Sequence, residues 1–222
     1  LDFAPAVPDS STNMRLRSRL TRALLVVMFA AILLPGCATT SSRRYKSDLR
    51  KVLDQGVSML GESKVRVGRK PFRSDCSGFV TACYSTIGTE LVDLTQSGRS
   101  GTEIIYKSLK SKKRIHNKRR PKAGDLAFFH NTHDRNGNGI RDDRFTHIAL
   151  VERVDDDGTV YLLHHVSGKV RRNRLNRVHR GVIRDPDSGK EWNSHLRKGG
   201  GKTLTGQLLF RFGTPLSPKR GR

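Results

Sequence analysis

The stretch RSDCSGFV, from Arg73 to Val80, places a cysteine directly after an acidic residue and ahead of an apolar run. Apolar and cysteine positions recur with helical spacing from Cys76 to Ile87, and Ser74 or Asp75 is suited to cap a helix there. The pattern predicts a helix that begins at Cys76. At a helix N-terminus, the dipole and the free N–H groups stabilise a thiolate, the nucleophilic form of cysteine. The alternative is an inert core cysteine, and partners elsewhere in the chain must distinguish the two.

The order of patterns along the chain predicts the fold class. Helical spacing occurs before Pro121, over residues 45–60, 76–87 and 102–109. After Pro121 the pattern changes to short apolar runs separated by turn residues, which are typical of strands: DLAFFH, THIALVERV, TVYLLHHVSG and QLLFRF. Helices followed by strands predict an α+β domain in which N-terminal helices pack on an antiparallel β-sheet. We expect this domain to span residues 47–213.

The N-terminal segment has the pattern of an export signal. From Met14, the basic stretch MRLRSRLTR precedes the apolar run ALLVVMFAAILL and the small-residue stretch PGCATTSS. The apolar run is shorter than the about 20 residues that a membrane span needs. Leu34-Pro35-Gly36-Cys37 resembles the bacterial lipobox, in which the cysteine becomes lipidated; an ordinary signal peptide cut near this point is the alternative. We expect a signal peptide over 1–36, with translation starting at Met14.

The segments that flank the predicted domain and the net charge of the chain indicate where the protein acts. Cys37 would open a lipidated tether over 37–46, and a disordered basic tail would cover 214–222. The formal net charge of +23 implies an anionic partner. Export places the protein among anionic lipids and cell-wall polymers, which excludes nucleic acid. Ala38 lacks the acidic character associated with inner-membrane retention, so we expect a lipid anchor at the periplasmic face of the outer membrane.

Two cysteines, Cys76 and Cys83, fall within the predicted domain. On a helix that rises about 1.5 Å per residue, they are about 10 Å apart, beyond the ~7 Å Cα separation that a disulfide can bridge. We therefore expect Cys83 to pack in the core and Cys76 to be available for chemistry.

A nucleophilic cysteine needs a nearby imidazole, and His147 is the candidate because it opens an otherwise apolar strand. That strand leads through a DDDG turn into a second one that contains His164 and His165, so the two strands predict an antiparallel hairpin. A two-residue turn at Asp156–Asp157 would set His164 beside His147. A three-residue turn centred on Asp156 would pair His147 with His165. The apolar face that His164 continues favours His164, and His165 stays open.

The motifs DCSGFV, PKAGDLAFF, THIALV and a strand ending in histidine, in this order, resemble the NlpC-type papain-like cysteine peptidases of bacterial cell walls. The resemblance runs from about Leu49 to Phe212. It implies that Cys76 is the nucleophile, that His147 is the general base, and that His164 or His165 is the orienting third residue.

The same resemblance implies a role for the residues that flank the cysteine. Asp75 and Ser77 match the flanks of the motif, and a backbone N–H near Cys76 would bind the oxyanion. In place of the Tyr/Gly-rich stretch usual before the cysteine, this chain has KVRVGRKPFR. The difference concerns the substrate subsite more than the chemistry.

The function implied is hydrolysis of peptidoglycan without a required cofactor. The favoured reaction cuts the stem peptide between D-glutamate and the diamino acid. The related CHAP amidases share much of the pattern and cut nearer the sugar. A non-catalytic envelope-binding lipoprotein of the same fold is a further alternative, and anionic envelope polymers are expected partners.

A charged insertion before His147, DRNGNGIRDD, resembles the calcium loop of an EF-hand. Asp134, Asn136, Asn138 and Asp142 match loop positions 1, 3, 5 and 9, whereas Phe145 occupies position 12, where a glutamate belongs. Calcium binding here is a hypothesis, and a solvated turn of Asp, Asn and Gly is the alternative.

Overall fold

The computed structural model describes residues 36–216. Residues 45–216 belong to one compact unit, and the fold described below is that of this unit. The predicted signal peptide ahead of Gly36 and the tail after Leu216 lie outside the described residues. No helix in the described part of the chain is both long and apolar enough to cross a membrane.

The described residues form helices, a small hairpin and a larger sheet. The helices are α1 (Gly36–Ser58), α2 (Cys76–Ser85), α3 (Gly101–Ser111) and α4 (Thr205–Leu208). The strands are β1 (Arg66–Val67), β2 (Lys70–Pro71), β3 (Ile115–His116), β4 (Leu126–Phe129), β5 (His147–Val154), β6 (Val160–Val166), β7 (Lys169–Leu175) and β8 (Leu209–Gly213). Helix α1 includes residues 37–46, the segment expected to be a tether, and it ends before the predicted residue 60.

The larger sheet has six strands in the order β3-β8-β4-β5-β6-β7, and each neighbouring pair is antiparallel. Strands β1 and β2 form a separate antiparallel pair. Helices followed by an antiparallel sheet confirm the predicted α+β class.

Strand β4 shows why the central strands are apolar throughout. Alternate residues of a strand point to opposite faces of its sheet. Leu126 and Phe128 belong to a core cluster that includes residues of α1, α2 and α3, whereas Ala127 and Phe129 belong to a second cluster with Leu196 and Leu208. Both faces of the sheet are therefore covered, the first by helices and the second by the C-terminal segment.

Helix α2 begins where the sequence predicts, and local contacts explain why. Asp75 is the N-cap, and its carboxylate accepts a hydrogen bond from the Gly78 N–H at 2.7 Å. A Cβ on Gly78 would lie 2.0 Å from the Arg73 carbonyl oxygen, so this position has no room for a side chain. The helix ends at Ser85, and Gly88 then adopts a φ of +64°, a left-handed conformation that glycine tolerates.

The β5–β6 hairpin has the register expected from a two-residue turn but reaches it by a different route. Leu150 pairs with Leu163, a register that places His164 beside His147. The Asp155 N–H donates to the Thr159 carbonyl, so the turn contains three residues and is centred on Asp157. A bulge between Val151 and Arg153 then shifts the register by one residue. Both turns predicted from the sequence are wrong. The bulge in β5 nevertheless gives the register in which His164 lies beside His147, as the sequence favoured.

Strand β7 was not predicted from the sequence. It follows β6 after Ser167 and Gly168, which have φ values of +50° and +81°, and it pairs with the whole length of β6. Its sequence, KVRRNRL, is too basic to show apolar alternation. Strand β7 is one of the two edge strands of this sheet, and basic side chains on such a strand discourage pairing with another chain.

Candidate active site

Cys76 is the first residue of α2, and its side chain is half-buried at a surface cleft of about 610 Å³. The cleft is lined by residues of three further regions: the loop before β5, the β6–β7 turn and the C-terminal segment. His147 and His165 line the same cleft. The fold thus brings the predicted nucleophile and the predicted base, 71 positions apart in sequence, into one site.

His147 is held by a second histidine. Its Nε2 atom lies 2.7 Å from Nδ1 of His164, and the two side chains are 6% and 0% exposed. When Nε2 of His147 carries the shared proton, it donates to His164, and Nδ1 of His147 keeps a free lone pair. Nδ1 is then the ring atom that can accept a proton from a thiol.

His165 points elsewhere. Its Nε2 atom lies 3.0 Å from the Ser63 carbonyl oxygen, so the ring fixes the loop after α1 while also lining the cleft. In this structure it is His164, and not His165, that contacts His147. The alternative pairing of His147 with His165 is therefore contradicted.

Burial determines the protonation of these groups. Desolvation raises the pKa of the Cys76 thiol above its ordinary value, although the backbone N–H of Ile148 and the hydroxyl of Thr102 act in the opposite direction. Desolvation lowers the pKa of His147 well below 6.5, and the neighbouring His164 lowers it further. Burial thus favours the neutral form of both the Cys76 thiol and the His147 imidazole. The donors near the start of α2 act to stabilise the thiolate, but the cost of burying a charge exceeds their effect on the thiol pKa.

The far side of His164 is also buried. Its Nε2 atom has no partner of normal hydrogen-bond geometry among the described residues, although hydrogen bonding to the Asn173 side chain on β7 acts to raise the pKa of His164. Desolvation is the larger effect and lowers this pKa to about 4. His164 is therefore a neutral hydrogen-bond partner for His147 at neutral pH.

Asp75 and Ser77 build the start of α2. The Ser77 hydroxyl donates to the Asp75 carboxylate at 2.8 Å, and Arg73 forms an ion pair with the same carboxylate at 2.9 Å. Burial acts to raise the pKa of Asp75, but the hydrogen bonds from Gly78 and Ser77 outweigh it and lower the pKa. Both side chains are occupied in capping the helix, although Asp75 also lines the cleft.

The loop before β5 gathers the four residues of the calcium hypothesis. The Asp134 carboxylate accepts the N–H groups of Gly137 and Gly139, both at 2.8 Å. The side-chain amides of Asn136 and Asn138 donate to the Asp142 carboxylate at 3.4 and 3.3 Å. Carboxylate and amide oxygens are ligands that Ca²⁺ accepts. Calcium binding by this loop stays a prediction.

Three residues near the site were not found from the sequence. Thr102 contacts the sulfur of Cys76, and Arg197 and Lys198 line the cleft. Arg197 also donates to the Asn131 carbonyl at 2.8 Å and so joins the C-terminal segment to the loop before β5. Their sequence contexts carry no motif, and only the folded chain brings them to Cys76.

No curated protein and no solved structure matches the chain. A protein-family comparison finds a match that begins in β1 and ends within β6, and it includes Cys76, His147 and His164. The family is the one that the sequence motifs suggested as the alternative to the NlpC type. Residues 67–165 match the family model of the CHAP domain, a papain-like cysteine/histidine amidase and peptidase domain related to the NlpC type.

Proposed function

We propose that this protein hydrolyses an amide bond of peptidoglycan with Cys76 as nucleophile, His147 as general base and His164 as the orienting residue. The observation that carries the proposal is the 2.7 Å contact between His147 Nε2 and His164 Nδ1 beside the cleft that Cys76 opens onto. A nucleophile, a base and a group that orients the base make up the arrangement of a covalent hydrolase. CHAP domains are typically hydrolases that act on peptidoglycan.

The neutral resting pair is suited to this chemistry. As the Cys76 sulfur attacks the substrate carbonyl, Nδ1 of His147 accepts the thiol proton, so no isolated buried charge forms beforehand. The hydrogen bond to His164 holds the ring while it is charged. Free N–H groups at the start of α2 are placed to stabilise the oxyanion. His147 then protonates the leaving amine, and water hydrolyses the thioester. No step in this sequence requires a cofactor.

The charge of the cleft supports an anionic peptide as substrate. Peptidoglycan stem peptides carry free carboxylates, and Arg197 and Lys198 place two cationic groups at the cleft. The excess of basic residues over the whole chain also attracts anionic envelope polymers. The favoured bond is that between D-glutamate and the diamino acid. The CHAP match supports a second candidate, an amidase that cuts nearer the sugar.

We further propose that the protein is exported and anchored through Cys37 at the periplasmic face of the outer membrane. The support is the sequence pattern from Met14 to Cys37. Incorporation of a labelled fatty acid into the full chain, and its loss in Cys37→Ser, would test the anchor. Labelling that persists in Cys37→Ser would contradict it.

Purified peptidoglycan incubated with the full chain and with Cys76→Ala tests the activity. Mass spectrometry of the released fragments identifies the new termini: a free diamino-acid amine indicates the endopeptidase, and an intact stem peptide freed from the sugar indicates the amidase. Equal release by both proteins would contradict a cysteine hydrolase. Binding to peptidoglycan without any release by either protein would identify a non-catalytic envelope-binding protein.

A further inference from the structure

The N-terminal ends of two helices meet at Cys76. Helix α3 is capped by Ser100, and a Cβ on its first residue, Gly101, would lie 2.5 Å from the Ser77 hydroxyl. This close approach brings the next residue, Thr102, to the nucleophile. Thr102 is 2% exposed, and its Oγ1 atom lies 3.8 Å from the sulfur of Cys76.

The Thr102 hydroxyl has no other hydrogen-bond partner among the described residues, and the sulfur has no other side-chain partner there. With a neutral thiol, either atom can be the donor. A thiolate has no proton to donate, so the hydroxyl must then turn its hydrogen toward the sulfur. A hydrogen bond to a charged acceptor is stronger than one to a neutral acceptor. The contact therefore stabilises the thiolate more than the thiol.

We propose that Thr102 is a positioning residue that donates a hydrogen bond to the Cys76 sulfur as negative charge develops on it. Backbone N–H groups of Ser77 and Ile148 act on the same sulfur, so Thr102 completes a set of donors in a site that burial otherwise makes unfavourable for charge. The proton of the thiol passes to His147, and Thr102 keeps its own proton throughout. The role in turnover rests on the proposed hydrolase function; the effect on the thiol does not.

The test is the pH dependence of Cys76 alkylation by iodoacetamide in the folded full chain, followed by mass spectrometry of the peptide that contains Cys76. Thr102→Val removes the hydroxyl at nearly constant shape and should raise the pH midpoint of alkylation by about one unit. Thr102→Ser keeps the hydroxyl and should retain the midpoint of the unmodified protein. Ser108→Ala removes another buried hydroxyl from α3 and should also leave the midpoint unchanged.

An unchanged midpoint in Thr102→Val would overturn the proposal, as would an equal shift in Thr102→Ser. Thr102→Ala, with a smaller side chain, replaces the valine variant if circular dichroism shows that valine disturbs folding. Because alkylation needs no peptidoglycan, a shifted midpoint supports the role of Thr102 even if the protein hydrolyses nothing. If it is a hydrolase, kcat should fall in Thr102→Val and recover in Thr102→Ser.

Discussion

The two cysteines of α2 occupy opposite environments within one helix. Cys76 stands at the first position, half-buried beside the cleft, where N–H groups have no partners within the helix. Cys83 lies two turns further on, is 0% exposed and packs in the core cluster, where burial strongly raises the pKa of its thiol. The same residue type is thus the proposed nucleophile at the N-terminal end of the helix and a core residue near its C-terminal end. Position within the helix, and not the residue, separates the two.

Replacement of each cysteine by alanine is the strongest test of this contrast. Cys76→Ala should lower the rate of peptidoglycan cleavage by about 10⁴-fold or more, because the attacking atom is lost. Cys83→Ala should leave kcat unchanged and lower the free energy of unfolding by about 1 kcal/mol, because it removes only a buried sulfur from the core. Rates of fragment release and urea denaturation measure the two effects. An equally inactive but folded Cys83→Ala protein would contradict the contrast.

Substitution of His164 and of His165 tests which histidine orients His147. His164→Ala should reduce kcat by about 10²- to 10⁴-fold, because His147 then loses the partner that fixes its ring and its tautomer. His165→Ala should cause a smaller loss, since its ring nitrogen contacts Ser63 and not His147. Steady-state kinetics on soluble muropeptides would compare them. A larger kcat loss in His165→Ala than in His164→Ala would contradict the assignment of the third residue.

Acid should lower the free energy of unfolding through the two buried histidines, His147 and His164. His147 and His164 have pKa values below 6.5 in the folded protein, so between their folded and unfolded pKa values the unfolded chain binds more protons. The free energy of unfolding therefore falls as the pH drops below about 6.5, by about 1.4 kcal/mol per pH unit for one such histidine. Urea denaturation between pH 7.5 and pH 5 measures this slope. His164→Asn removes one titrating group and should flatten it, and an unchanged slope in that variant would refute this explanation.

The last prediction concerns the loop that leads to His147. If this loop binds calcium, the ion should raise the unfolding temperature, with a gain of about 2.7 kcal/mol when its concentration is 100 times the dissociation constant. Asp134→Ala should abolish this dependence on calcium. Asp187→Ala, which changes an exposed carboxylate outside the loop, serves as the matched control. Thermal unfolding with calcium and with EDTA gives the comparison, and no calcium effect on the unmodified protein would end the hypothesis.

Local patterns were sufficient for the elements that carry the chemistry. The start of α2, its cap and the strand identities of β4, β5 and β6 follow from spacing, capping and apolar runs, which depend on neighbouring residues. Strand β7 and the short strands β1, β2 and β3 escaped prediction because they are basic or only two residues long. Strand β3 forms by pairing with β8, which is distant in sequence, whereas β1 pairs with β2 and β7 pairs with β6, their neighbours in the chain.

The amino-acid sequence by itself determined the α+β order of elements and the candidates for nucleophile and base, because helix caps and strand periodicity are local properties. Only the tertiary structure decided which histidine meets His147, because a bulge in β5 sets the register near the site. It also decided that burial favours the neutral thiol and the neutral imidazole, because desolvation depends on how the whole chain buries these groups. The contact of Thr102 with Cys76 also depends on the tertiary structure, because two helix ends that are distant in sequence converge on one sulfur.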